Sequence, residues 1–195
     1  MTDRTPIETA NLDIYGNAEL PWSRPRDVLD GIDPAATITW FLGTVRPDGR
    51  PHAAGVGAIW FDGDLFFVSG PRTRKSRDIA ANPACTVSVS LDGIDLVFEG
   101  EAERVTDRPT LEAVAARYRE GGWPVDADGE VFTAPFSAPS AGPPPWYLYR
   151  LDFSRVFGVA GQEPHGAAGR LPVSSGVPEP VVTPTRYQRT VGSPT

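Results

Sequence analysis

The chain has 195 residues, 40% of them hydrophobic and 22% charged, with a formal net charge of −7. That balance belongs to a folded protein of about one domain, and the acidic excess excludes a broad nucleic-acid footprint, which needs Lys and Arg spread over a wide face. Its single cysteine, Cys85, forms no intrachain disulfide and fits a reducing compartment. The N-terminus carries acidic residues and no apolar run, and no window approaches about 18 uninterrupted apolar residues. A cytoplasmic protein with no membrane span is therefore expected.

Residues 1–30 read as an N-terminal arm with a short helix after Pro25. Residues 37–45 are rich in β-branched and aromatic side chains and predict a strand, closed by the Arg46-Pro-Asp-Gly49 turn. A second strand is expected over 51–61, turned by Asp62-Gly63 into a third over 65–69. Residues 73–82 predict a short helix with Thr73 as its N-cap, ended by Asn82-Pro83. Residues 85–91 alternate apolar and polar, and Asp92-Gly93 leads into a strand over 96–105. Leu111, Val114, Ala115 and Tyr118 share one face of a helix capped by Thr106 or Asp107 and stopped at Gly121-Gly122. A connection of more than 20 residues follows, longer than usual and so either functional or mobile. Residues 146–159 form the last strand. Six strands joined mostly by hairpins predict a mainly β fold with a few helices, an antiparallel barrel whose closure removes strand edges.

Arg72, Arg74, Lys75 and Arg77 crowd into six positions of an otherwise acidic chain, where a strand ends and a helix begins. A helix start offers unpaired N–H groups and the positive end of the dipole. Cations beside it bind a phosphate by charge-assisted hydrogen bonds, with Ser69 and Thr73 as further donors. The alternative is that these side chains only face solvent. Gly55 and Gly57 either let backbone approach a flat ring closely or relieve crowding at a bend.

The run Gly43-Thr-Val-Arg-Pro-Asp-Gly-Arg-Pro-His52, then Leu65-Phe-Phe-Val-Ser69, Arg74-Lys75-Ser-Arg-Asp-Ile79 and Asn82-Pro83, resembles the pyridoxamine 5'-phosphate oxidase-like family of flavin- and deazaflavin-binding split barrels. The likeness is good over 35–107 and looser beyond. It implies a six-stranded antiparallel split β-barrel of the FMN-binding type, a homodimer with its cofactor between subunits, and a small-molecule substrate. By position it implies that Lys75 contacts the cofactor phosphate with Arg74 beside it, and that Ser69 reaches the cofactor from a strand end. Ala54, Gly55, Val56, Gly57 and Ala58 match the strand passing the ring. Pro184-Thr-Arg-Tyr187 resembles C-terminal segments that dock near the cofactor, bringing in Arg186 and Tyr187. The vitamin-making oxidase has basic residues near Ala54 and Ile59, so a substrate other than pyridoxamine phosphate is expected.

FMN is the expected cofactor, and the 8-hydroxy-5-deazaflavin coenzyme is the alternative, since its longer acidic tail would use Arg72, Arg77 and Arg50. A flavin-dependent oxidoreductase needs no catalytic side chain here, because the ring carries the redox chemistry; a non-catalytic cofactor-binding protein is the rival. Two histidines and one cysteine leave little for a metal site or a triad. His52 reads as structural or exposed, His165 lies in a loop, and Cys85 reads as core. The expected organisation is 1–30 arm, 31–160 cofactor-binding domain, and 161–195 loop and tail.

Overall fold

The computed structural model describes residues 6–161 and 182–188. In chain order the elements are β1 (Glu8–Asn11), α1 (Ser23–Asp30), β2 (Trp40–Val45), β3 (Pro51–Val56), β4 (Ala58–Phe61), β5 (Asp64–Ser69), α2 (Arg74–Ala81), β6 (Ala84–Leu91), β7 (Ile94–Arg104), α3 (Arg108–Glu120), β8 (Asp126–Asp128), β9 (Val131–Thr133), β10 (Tyr147–Gly161) and β11 (Val182–Gln188). Helices α2 and α3 are capped as the sequence predicts, whereas α1, expected after Pro25, begins at Ser23 behind Trp22 with no side-chain cap. Thr73 accepts from the Ser76 amide and Asp107 from the Thr110 amide, with Pro109 inside the first turn of α3. Asp62 and Gly63, at φ 49° and 76°, turn β4 into β5. Both positions have the positive φ that a tight hairpin with right-handed twist demands.

Every strand pairing is antiparallel, and the main ladder runs β1-β11-β10-β7-β6-β2-β3. Beyond its partner β7, β10 pairs with β5 through Tyr147–Leu151 and with β11 through Arg155–Gly161, and β5 in turn carries β4. β5 is buried along its whole length. It serves two cores, which explains its unbroken apolar run. Phe67 packs with Trp40, Leu42, Val87, Phe98 and Leu151, while Phe66 and Val68 face Leu111, Val114, Tyr118, Phe132 and Trp146 under α3.

The expectation of a closed six-stranded barrel is overturned. Among the described residues the ladder ends at β3 on one side and at β4 and β1 on the other, and no ladder joins β3 to β4 or β5. The cause lies at Gly57. The stretch 51–61, expected as one strand, breaks there, so that β3 stays with β2 while β4 crosses to β5. The mainly β character with a few helices stands. Four strands lie outside the expected set: β1 in the arm, the β8–β9 hairpin in the long connection, and β11 in the tail. The loop holding His165 lies outside the described residues.

The register of β10 against β7 shifts between Phe153 and Arg155, a β-bulge opposite Gly100. A Cβ on Gly100 would overlap the backbone of Asp152 and Phe153, whereas one on Gly55 would meet nothing within 4 Å. Gly100→Ala is therefore expected to lower stability by about 2 kcal/mol. Gly55→Ala should stay within about 0.5 kcal/mol of the parent in the same urea titration.

Candidate functional site

The strand-to-helix corner is built by a chain of hydroxyls. β5 ends at fully buried Ser69, whose hydroxyl lies 2.7 Å from Thr73 Oγ1 and accepts from Ser76 Oγ at 2.7 Å. Thr73 Oγ1 donates to the Gly70 carbonyl at 2.9 Å and accepts from the Ser76 amide at 3.3 Å. These contacts tie the first turn of α2 to the end of β5. Two residues beyond Ser76, Asp78 is buried and accepts from Thr44 Oγ1 of β2 at 3.0 Å, with His52 Nδ1 of β3 3.8 Å away. Helix α2 is thus fastened to both sides of the gap that the ladder leaves open.

Lys75, in the first turn of α2, is 5% exposed. Its Nζ donates to the Ser140 carbonyl, in the connection after β9. Among the described residues no carboxylate pairs with it. Burial pulls its pKa below the usual lysine value, because an ammonium loses hydration there without a countercharge. Arg72, Arg74 and Arg77 are exposed. The Arg77 guanidinium donates to the Arg72 carbonyl at 3.1 Å, and none of the three pairs with a carboxylate among the described residues. The corner therefore holds uncompensated positive charge in an acidic chain.

The segment 54–58 lies next to this corner. Ala58 pairs with Phe67, two residues before Ser69, and β3 approaches β5 without forming a ladder with it. Ala54 is half-buried, Val56 and Ala58 point into the core, and Gly55 and Gly57 face outward. A Cβ on either glycine would meet nothing within 4 Å. Internal crowding therefore does not explain them, and what they leave is bare backbone on an outer face.

The C-terminal candidates lie elsewhere in the chain. Arg186 pairs with Phe157 of β10, ten residues beyond Tyr147, the partner of Ser69. At about 3.3 Å per residue that separation is roughly 30 Å. Arg186 faces outward, 3.4 Å from Glu8. Tyr187 points the other way, 1% exposed, donating to the Leu20 carbonyl at 2.9 Å with its ring edge-on to Trp22. One chain thus brings Ala54, Gly55, Val56, Gly57, Ala58, Ser69, Arg74 and Lys75 together and leaves Arg186 and Tyr187 apart from them.

Asp78, Ser76 and Ser140 are the residues that sequence reasoning missed. Only the unusual length of the connection holding Ser140 hinted at a role. Cys85 is buried, and burial with the nearby Glu101 charge pushes its thiol up to about 12. Among the described residues no group of three His, Cys, Asp or Glu could hold a metal ion, and no helix is long and apolar enough to cross a membrane.

The sequence profile of the pyridoxamine 5'-phosphate oxidase family matches residues 35–158. The chain belongs to this family. The match spans the β2–β3 hairpin, the Lys75 corner and most of β10. Among solved structures, a conserved hypothetical protein from Mycobacterium tuberculosis is similar at TM-score 0.51 and 17% identity, over 77% of this chain and 93% of that one. A pyridoxamine 5'-phosphate oxidase-related, FMN binding protein from Nostoc punctiforme is similar at 0.49 and 19%, over 72% and 84%. An F420 reductase is similar at 0.46 and 24%, over 67% and 94%. No curated protein sequence matches the chain.

Two outcomes follow from the geometry. Thr44 is buried against Asp78, so Asp78→Ala leaves its hydroxyl only the long 3.5 Å contact to His52 Nδ1 and is expected to cost about 1–3 kcal/mol in a denaturant titration. Native Cys85 is expected to resist iodoacetamide at pH 8 and to react fully in urea, since a raised pKa leaves almost no thiolate.

Proposed function

We propose that this chain is an FMN-dependent oxidoreductase that holds the cofactor phosphate at the Lys75 corner, with the ring along residues 54–58 at an interface between two copies. Lys75 carries the reading: an almost fully buried ammonium whose recorded partner is one carbonyl and no carboxylate. A phosphate is the group that this arrangement lacks. It would accept from Nζ, from the exposed Arg74 guanidinium, and from amides of the first turn that the helix itself leaves unpaired. Gly55 and Gly57 add backbone that a flat ring can approach without meeting a side chain. When bound, FMN supplies hydride transfer, and the protein's part is to anchor, orient and shield it.

Two copies are favoured by the outer face of the sheet. Its cross-strand row reads Gly55, Phe41, Ser88, Val97, Phe157 and Arg186. Phe41 is 51% exposed there, beside an edge strand, β3, with no ladder on its far side. An apolar face with an open edge calls for a cover. Arg186 lies on that same face, so a covering second copy would meet it. The working protein would be a cytoplasmic homodimer acting on a small molecule.

One observation favours the deazaflavin coenzyme as the second reading. Arg72 lines a groove of about 440 Å3 between Gly70–Thr73 and the Ala141–Pro145 stretch, where an acidic tail beyond the phosphate would find a free cation. Absorbance titration with each cofactor separates the two. FMN is expected to bind in the low micromolar range or tighter, with Lys75→Ala weakening it at least tenfold; an unchanged constant removes the assignment. Because burial lowers the Lys75 pKa, FMN affinity is expected to fall with rising pH before an ordinary lysine would titrate. Sedimentation is expected to give twice the 21.0 kDa chain mass.

A further inference from the structure

Behind the corner lies a cavity of about 290 Å3, between the segment after α1, strands β4 and β5, α3 and the Ala138–Ser140 stretch. Its walls include Trp40, Trp60, Tyr118, Trp123, Ile38 and Val68. The polar tips of two of these rings are already engaged. Trp60 Nε1 donates to Asp30 Oδ1 at 2.7 Å, and the Tyr118 hydroxyl donates to the Gly57 carbonyl at 2.8 Å. Neither polar tip is left over for a ligand.

Two charged residues border the cavity, and both are occupied. Arg117 donates to Glu120 Oε2 at 3.0 Å and to the Ile32 carbonyl at 3.4 Å. Asp33 is exposed and accepts from the Ala35 amide at 2.9 Å. A charged ligand would lose hydration in an apolar chamber, where Arg117 is already paired with a carboxylate and Asp33 is turned to solvent. An uncharged one would not. The volume sits at the small end of ligand pockets, which suits one or two rings.

We infer that this cavity binds a small, flat, uncharged aromatic molecule, and that it is the substrate site of the protein. The second half rests on the cofactor reading above. Position supports the link. Gly57, in the segment along which the cofactor ring is proposed to lie, and Ser140, whose carbonyl accepts from Lys75, both line the cavity. A molecule held between the tryptophans is therefore next to both parts of the cofactor site without occupying either. The rim is formed in part by exposed Ala36 and Thr37, so the mouth can be blocked without touching the core.

The test is calorimetric titration of the full chain with 2-naphthol, with 2-naphthoate as the charged control. Binding of 2-naphthol at one site per chain, at least tenfold tighter than 2-naphthoate, is expected. Ala36→Trp should weaken it at least tenfold and leave FMN affinity within twofold, and Thr37→Trp should repeat that loss. Protein loaded with FMN should still take up 2-naphthol. The inference is overturned by absence of 2-naphthol binding, by equal binding of the naphthoate, by full affinity in both rim variants, or by competition between 2-naphthol and FMN. Should 2-naphthol bind to a chain that takes up no FMN, the aromatic site stands and the substrate role falls with the cofactor reading. Should FMN bind and 2-naphthol not, only the cavity inference fails.

Discussion

The fastening of α2 across the open side of the sheet is the constraint on which the corner depends. No ladder joins β3 to β5, and the helix spans that gap with side chains instead: Ser76 to Ser69 on β5 at 2.7 Å, and Thr44 on β2 to Asp78 at 3.0 Å. All four residues are buried, so breaking either contact strands a polar group away from water. Ser76 and Asp78, two residues apart, hold the middle of the helix from opposite sides and fix its rotation. Lys75, one residue before Ser76, is thereby held inward against the Ser140 carbonyl, while Arg72, Arg74 and Arg77 point out.

This arrangement explains how a chain of net charge −7 keeps a cationic centre. Carboxylates elsewhere pair with exposed or half-buried arginines, as in Arg108 with Glu112, Arg117 with Glu120 and Arg150 with Glu103. Surface pairs of this kind contribute little stability. At the corner the opposite holds. Positive charge has no carboxylate partner there among the described residues and, at Lys75, is buried. Such an ammonium destabilises the chain alone and gains most from an incoming anion. Exposed lysines on an acidic surface would not give that contrast.

The parts of this fold that sequence could reveal are those fixed locally. Alternation over 85–91, the Asp62-Gly63 turn and the Thr73 and Asp107 caps depend on neighbours a few residues away, and each stands where expected. The break at Gly57 is different. The run Gly-Val-Gly-Ala-Ile-Trp is compatible with one continuous strand, and only the distant partners β2 and β5 decide that its halves separate. Strand β11 was hidden by Pro184, which ordinarily argues against a strand. β1 pairs only with residues 185–188, so at Pro184 β11 has β10 alone beside it, an edge position where a missing N–H is tolerated. At the site, Lys75 was legible from charge density against an acidic background. Asp78 and Ser140 were not, because their meaning comes from burial against β2 and from a loop fold that no local pattern encodes.

Strand periodicity also limits what the C-terminal segment can contribute. Arg186 and Tyr187 are adjacent in β11, so they project to opposite faces. Tyr187 lies inside, where its ring meets Trp22 and its hydroxyl holds the Leu20 carbonyl, closing the arm over the core. Arg186 lies outside, on the face that also carries Phe41 and Gly55. A ligand on that face is reached by Arg186 and not by Tyr187 of the same strand. The two residues thus divide between them the tasks of closing the core and meeting what covers the sheet. Replacing the pair together would confuse a loss of folding with a loss of contact, and only Arg186 reports on the outer face by itself.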